Sequence, residues 1–463
     1  MRAGRGPGWP VLLLAVVALV ARLATGSGDP DCPFQYERHT LHEIVAGTKR
    51  PWLYDGAFHN FGSIEKPRGR ICVNCHRGGL WPTFCGRRRT GQEQWDLQLC
   101  GDATADAALA LATDHDDLRG ALTLTPCDLY RQLRGRTLWV IGDSISKDLI
   151  KAFKCFMIEF WDLKQYHLTN NYTAMAALHA LPGFGEPRCI HMPGYTRLCM
   201  IHAIQGDLFV NTTRAVSGVL PLIANSRLSA PDDVFVLNFG LWHGDVQRER
   251  YNRHLREVGA FWRDHKKTMP HMFWMETPKQ HFAKAADGDF QVSWLTDKKR
   301  VKGNHTCGPV PGVGYRKDGS LSAAEGDAVA AAVAGGTWRN ADARAVLGGE
   351  YGMPLVPIFN MTATAWDMHR KNFAGTECSH FCHPSMPQLW LWALHTALDR
   401  GGVQPLPPPK GPVRERNACA QVLEQGEAQL GAPKSAATVL AEAAAARPRR
   451  PASGVWEWLF GRR

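Results

Sequence analysis

Residues 137–161 read TLWVIGDSISKDLIKAFKCFMIEFW and contain the clearest structural signal in the chain. The run 138–141 is short and apolar, as in a buried strand, and Gly142 breaks it. Apolar residues then recur with helical spacing as far as Phe160. The stretch therefore predicts a strand, a tight turn and a helix. Such a turn holds the Ser144 hydroxyl outside the sheet, where the first N–H groups of the helix can stabilise an oxyanion.

The motif Gly142-Asp143-Ser144 has two interpretations, because it also suits a turn followed by a helix cap. A second segment, residues 376–382 with the sequence TECSHFC, favours a catalytic role for the motif over a cap. Glu377 stands three residues before His380, so its carboxylate can orient that imidazole. The chain order of serine, acid and histidine fits an esterase triad, with Ser144 as nucleophile, His380 as base and Glu377 as orienting acid.

Strand-like and helix-like segments alternate beyond residue 128, which predicts an α/β fold with a mostly parallel sheet covered on both faces. Ligands of such sheets lie beyond the carboxyl ends of the strands, where Ser144 and Asn238 both fall. The predicted strands are 198–204, 234–238, 271–275 and 354–359, and the predicted helices are 251–262, 323–334 and 389–398.

Four separate motifs resemble the trichome birefringence-like and PC-esterase family, a branch of the SGNH/GDSL hydrolase-like proteins. They are Cys127-Asp128-Leu129 before 138–144, Asn238-Phe239-Gly240-Leu241-Trp242, Thr277-Pro278-Lys279-Gln280-His281-Phe282 and Cys378-Ser379-His380-Phe381-Cys382. The resemblance covers about residues 127–395. It implies an SGNH-hydrolase-like three-layer sandwich over residues 127–400. It also implies acyl transfer to glycans through an acetyl-serine intermediate.

The resemblance also suggests roles for supporting residues. It places Asn238 and Gly240 opposite the nucleophile, where they either stabilise the oxyanion or merely shape their loop, and it makes Asp143 a supporting residue directly before Ser144. It implies a disulfide between Cys307 and Cys378 and another from Cys382 to the N-terminal region. The family has aspartate where this chain has Glu377. An Asp-x-His element, here Asp367 and His369, is not the catalytic pair in the family.

The N-terminal 26 residues predict a signal peptide or a short signal anchor, because two arginines precede an apolar stretch at 11–21. Residues 27–126 are a Cys-rich segment, and 401–463 form a Pro/Ala-rich tail expected to be largely disordered. The secretory start favours disulfides over a zinc site at Cys72, Cys75, Cys85, Cys100 and His76. Four glycosylation sequons fit the same compartment: Asn171, Asn211, Asn304 and Asn360.

The formal net charge of +11 is partly local, in the basic runs 87–89 and 298–300, and is otherwise diffuse. It fits solvated loops or attraction to an anionic glycan or membrane surface, and a secretory location excludes nucleic acid. The expected partners are a glycan acceptor and an acetyl-donor membrane protein, in the Golgi lumen, the extracellular space or the cell wall. No metal and no resident cofactor are expected, since the acetyl donor is a co-substrate. The alternative functions are a glycan O-acetyl esterase and a catalytically silent glycan-binding or wall-organising protein. For a glycan ligand, Trp242, Trp274 and Trp294 are candidates for stacking on sugar faces, although core packing is the commoner fate of tryptophan.

Overall fold

A computed structural model describes residues 102–156, 188–192, 196–210, 218–225, 229–290, 305–372, 375–382 and 385–407. Several predictions therefore fall outside the described residues: the signal segment, the Cys-rich segment up to residue 101, and the tail from 408 onward. The same applies to three of the four sequons, Asn171, Asn211 and Asn304.

The core of the fold is a six-stranded sheet in the order β2-β3-β1-β4-β5-β8. Five of its strands are parallel and the edge strand β2 is antiparallel, so the α/β class with a mostly parallel sheet is confirmed. The six strands are β1 Thr137–Gly142, β2 Arg188–Met192, β3 Thr196–His202, β4 Val234–Asn238, β5 His271–Met275 and β8 Leu355–Val356. Two hairpins stand apart from the sheet: β6 Val313–Tyr315 with β7 Leu321–Ala323, and β9 His369–Asn372 with β10 Gly375–Phe381.

The helices of the described chain connect and cover these strands. They are α1 Asp102–Asp114, α2 Pro126–Leu133, α3 Ser144–Phe156, α4 Val219–Asn225, α5 Arg248–His265, α6 Ala328–Ala334, α7 Thr337–Ala343, α8 Phe359–Thr362 and α9 Met386–Arg400. A π-helical turn occupies Arg344–Glu350, and short 3₁₀ turns lie between several elements. Within the described residues, no helix is long and apolar enough to cross a membrane.

The alternating side chains of β1 enter two separate hydrophobic cores, as a strand buried on both faces requires. Leu138 and Val140 join the core that includes residues of α3 and α9. Trp139 and Ile141 join the other core, which includes residues of α5. The sheet is therefore covered on both faces, and its carboxyl edge is left for loops.

Two predicted elements differ in extent because buried or capping carboxylates set the boundaries. The predicted helix 323–334 begins only at Ala328, since the Asp327 side chain accepts hydrogen bonds from two N–H groups of its first turn. The predicted strand 354–359 is limited to β8, because Phe359 N–H donates to buried Glu276 and α8 starts there.

The carboxyl ends of β1 and β4 approach each other closely. Gly142 and Asn238 are paired at these ends, and a Cβ on Gly142 would lie 2.4 Å from the Asn238 carbonyl oxygen. A side chain at this position would force the two strand ends apart. Glycine is therefore required immediately before Asp143 and Ser144.

Candidate active site

Asp143 caps α3 and connects two loops at the carboxyl edge of the sheet. Its carboxylate accepts hydrogen bonds from Ile145 N (2.9 Å) and from Leu241 N (3.3 Å) in the loop after β4. Burial raises the pKa of Asp143 to about 6, although the two N–H donors oppose this shift. The helix cap in the Gly-Asp-Ser motif is therefore Asp143. The hydroxyl of the neighbouring Ser144 is not needed for capping.

Ser144 is the first residue of α3, and its hydroxyl is not used for capping. The Oγ atom is covered from solvent and has no hydrogen-bond partner among the described residues. Because buried hydroxyls are normally hydrogen-bonded, the Ser144 hydroxyl can take a water, a ligand or a reacting group as its partner. At the helix N-terminus, backbone N–H groups and the helix dipole favour developing negative charge.

His380 and Glu377 form a hydrogen-bonded pair on β10. Glu377 Oε2 accepts from His380 Nδ1, and Glu377 Oε1 accepts from Ser379 N (3.0 Å). Burial works against ionisation of Glu377, but the charge and hydrogen bond of His380, with Arg370, outweigh it and lower its pKa to about 2. The carboxylate thus fixes the proton on Nδ1, which leaves Nε2 as the basic nitrogen.

The pair lies beside the turn that carries Ser144. The hairpin strand β10 contacts α3, and the charge of His380 acts on Asp143. Arg370 lies between the two elements, 3.8 Å from Asp148 of α3 and 3.9 Å from Glu377. His380 Nε2 is buried and, like Ser144 Oγ, has no hydrogen-bond partner among the described residues. The acid–histidine contact is therefore formed, while no hydrogen bond joins the histidine to the serine.

The segment that follows β5 holds β10 in place, a role that was not predicted from the sequence. His281 N donates to Cys378 O (3.0 Å), and Gln280 Nε2 donates to Ser379 Oγ (2.7 Å). From β9, His369 Nδ1 contacts His380 O at 2.9 Å. A polar run directly after a buried strand was the available signal, because such residues lie at the carboxyl edge of the sheet.

A buried ionic cluster joins the loops after β4 and β5. Lys279 Nζ and Arg339 both donate to Asp289, the latter at 2.5 Å, and Arg339 also donates twice to His243 O (2.9 and 2.7 Å). Burial opposes ionisation of Asp289, but the two cations outweigh it and lower its pKa. These residues are far apart in sequence, and no local pattern pointed to them.

The loop after β4 is tied to the end of β5. Asn238 Nδ2 donates to Met275 O (2.7 Å) and to Thr277 Oγ1 (3.3 Å), so both amide hydrogens have acceptors. A Cβ on Gly240 would lie 1.9 Å from Thr277 Oγ1. This geometry matches the loop-shaping interpretation of Asn238 and Gly240. Their role as oxyanion donors stays a prediction.

Cys307 and Cys378 form the disulfide that the family resemblance implied. Cys382 is also disulfide-bonded, and the N-terminal segment up to residue 101, where its partner was expected, lies outside the described residues. Asn360 is half-buried, and its Nδ2 donates to Gly319 O (3.1 Å). Glycosylation of Asn360 would replace one Nδ2 hydrogen and leave the other for this contact.

Two tryptophans near the site are exposed. Trp242 follows the Asp143-bonded Leu241 and is 44% exposed, and Trp366 precedes β9 and is 39% exposed. Trp274, considered from the sequence as a sugar-stacking residue, is instead fully buried in the core, and Trp294 lies outside the described residues. The side chain of Asp367 is exposed, which fits a non-catalytic Asp-x-His element.

No protein-family model matches this sequence, and no curated protein matches it either. Within the described ranges, no group of three or more His, Cys, Asp or Glu side chains could hold a metal ion.

Removal of the Cys307–Cys378 disulfide is expected to loosen β10 before the sheet unfolds. The bridge spans 71 residues, and closing a loop of this length stabilises a fold by about 4 kcal/mol in the chain-entropy model. A double Cys307→Ala/Cys378→Ala variant should show faster hydrogen exchange in β10 than the parent, with β1 and β4 unchanged. Equal acceleration in all three strands would contradict this local role.

Proposed function

We propose that this protein is a serine-dependent acyl transferase or esterase that acts on glycans in the secretory pathway, with an SGNH-hydrolase-like core. The observation that carries the proposal is the Glu377–His380 pair beside the turn of Ser144. In addition, His380 Nε2 and Ser144 Oγ are both buried without partners among the described residues. In a triad these two atoms interact with each other, so neither should be hydrogen-bonded to another part of the protein.

The proposed reaction begins with attack of Ser144 Oγ on the acyl carbonyl of a donor, while His380 Nε2 takes the hydroxyl proton. The oxyanion that forms lies near the N-terminus of α3, where the Ser144 N–H can donate to it. Collapse breaks the bond to the donor's leaving group, which takes the proton from His380. The product of this half-reaction is acyl-Ser144.

In the second half-reaction a sugar hydroxyl attacks acyl-Ser144, gives its proton to His380 and leaves as the glycan ester, while Ser144 regains the proton. Water in place of the sugar makes the same site a glycan O-acetyl esterase. The two outcomes differ in the exclusion of water rather than in the triad. O-acetyl transfer is the preferred form of the proposal, with an acetyl-donor membrane protein as co-substrate source and no resident cofactor.

The same fold also supports a second candidate, a catalytically silent glycan-binding or wall-organising protein. The observations that favour it are the missing Ser144–His380 hydrogen bond and the glutamate that replaces the family aspartate. Catalytic contacts are often loose without substrate, so the first candidate remains preferred.

The experiment that separates these candidates is incubation of oxidised, full-length protein with acetyl donors and a glycan panel, followed by mass spectrometry. Transfer yields an acetylated glycan and an acetylated Ser144 peptide. An esterase releases acetate from acetylated glycans instead. The binding candidate would be supported if the folded protein showed neither activity and still bound glycans on an affinity column.

Trp242→Ala is expected to raise KM for the glycan about fivefold with little change in kcat, because one stacking contact beside the site is worth about 1 kcal/mol. Val246→Ala, at an 87% exposed apolar residue of the same region, is the control and should leave KM unchanged. Steady-state kinetics over a range of glycan concentrations provide the measurement. An unchanged KM in Trp242→Ala would remove this residue from the glycan site.

A further inference from the structure

Two buried histidines behind His380 face each other directly. His281 Nδ1 and His369 Nε2 are 2.7 Å apart. Each ring has its other nitrogen on a backbone carbonyl: His281 Nε2 is 3.1 Å from Ala363 O, and His369 Nδ1 is 2.9 Å from His380 O. Both side chains are almost completely buried, so water cannot replace these contacts.

The four ring nitrogens need more protons than two neutral rings possess. A carbonyl oxygen only accepts, so His281 Nε2 and His369 Nδ1 must each carry hydrogen. In neutral rings the two facing nitrogens would then both present lone pairs at 2.7 Å, which is repulsive. All three contacts form together only if one additional proton lies between the rings.

We propose that His281 and His369 act as one positioning unit for His380, and that this unit holds the His380 backbone fully only while the two rings share a proton. The inference rests on the proposed function, because it concerns regulation of the same base. Without the shared proton, His369 has a single hydrogen, and it donates this either to His281 or to His380 O. His281 Nδ1 and the His380 carbonyl oxygen then compete for the single ring hydrogen of His369.

The surroundings decide at which pH the shared proton leaves. Burial lowers the pKa of His281, and the charges of His369 and Lys279 lower it further. Burial also lowers the pKa of His369 to about 4, against the opposing hydrogen bond to His380 and the charge of Glu377. Lys279, Glu377 and His380 are thus the charged or titratable groups that face the pair. As the pH rises, the pair loses its shared proton below neutral pH. From that pH upward, His281 and the His380 carbonyl compete for the remaining hydrogen of His369.

His281→Gln tests the unit, because an amide supplies an N–H donor to His369 Nε2 without an added proton. His369 can then keep its Nδ1 hydrogen on His380 O at every pH. We expect fluorophosphonate labelling of Ser144 near neutral pH to be about threefold to tenfold faster in this variant, about the effect of one hydrogen bond. In the parent, loss of the shared proton gives an inflection in the plot of labelling rate against pH. This inflection should be absent in His281→Gln. The control is His395→Gln, in which a half-buried histidine bonded to Gln132 is replaced and the parent profile should be retained.

Nitrogen NMR of the histidine rings gives a readout that does not depend on activity. In the parent, His369 should pass from both nitrogens protonated at acid pH to a tautomer mixture near neutrality, whereas in His281→Gln it should remain the Nδ1-protonated form. If His369 of the parent keeps one neutral tautomer throughout, or if both variants reproduce the parent profile, the proposal is overturned.

The two proposals fail in different ways. A parent protein that is never labelled at Ser144 refutes the proposed function, and the NMR titration of the parent then decides the positioning unit alone. The same titration decides it if His281→Gln does not fold.

Discussion

Ser144→Ala is expected to abolish covalent labelling by a fluorophosphonate and to lower acyl transfer or hydrolysis by at least about a thousandfold. The substitution removes only the hydroxyl, which makes no hydrogen bond to any described residue. Its removal should therefore change the free energy of unfolding by well under about 1 kcal/mol. Labelling with mass-spectrometric mapping and denaturant unfolding measure the two effects.

Ser146→Ala is the matched control for this variant. Ser146 lies two residues further along α3, and its Oγ is likewise buried without a hydrogen-bond partner in the described chain. It should leave labelling intact. If labelling were lost in Ser146→Ala but kept in Ser144→Ala, the nucleophile would be Ser146 and the assignment of Ser144 would be wrong.

Glu377→Gln is expected to reduce activity by about a thousandfold or more while the fold is retained. The carboxylate accepts the His380 Nδ1 hydrogen, and an amide in its place can favour the tautomer with the proton on Nε2, which cannot act as a base. Measurement of kcat over pH gives the loss. Glu377→Asp, which introduces the residue that the resembling family has at this place, should retain activity, since it keeps the carboxylate and requires only a small shift of the loop.

Asp367→Asn is the matched control, since Asp367 is exposed and is the acid of the Asp-x-His element, the other acid–histidine pair near the site. If Asp367→Asn were inactive and Glu377→Gln nearly normal, Glu377 would not be the orienting acid.

Glu377→Gln is also expected to change how the stability of the fold depends on pH in acid. The pKa of Glu377 is lowered to about 2 in the folded protein, below the value of about 4.3 in an unfolded chain. Its ionised form therefore stabilises the fold above about pH 4.3, and this contribution is lost as the pH falls toward 2. Denaturant unfolding at several pH values should show a shallower acid decline in Glu377→Gln than in the parent.

The strand–turn–helix around Ser144 could be predicted because its signal is local. An apolar run, a glycine and helical spacing are all contained in residues 137–161. The strands at 234–238 and 271–275 were predicted with exact bounds for the same reason. The Glu377–His380 contact is also local, because the two residues are three positions apart on one short segment.

Element boundaries were less accurate where a distant side chain sets them. Buried Glu276 accepts the Phe359 N–H and starts a helix in what was predicted to be a strand. Trp274 was considered as a sugar contact, yet it is buried, because β5 has neighbours on both sides and helices cover both faces of the sheet. Neither fact is encoded in the neighbouring residues.

The sequence by itself determined the α/β class, the positions of the main strands along the chain and the Glu377–His380 contact, since each depends on hydrophobic spacing or on residues close together in the chain. Only the tertiary structure decided what surrounds them. Asn238 is tied to Met275, and Lys279 and Arg339 meet at Asp289. The His281–His369 pair behind His380 is a contact of the same kind. These contacts join residues 37 to 88 positions apart, apart from Lys279 and Asp289, which are separated by 10. They arise only when the chain has folded, because burial forces each polar group to find a partner wherever the fold brings one near.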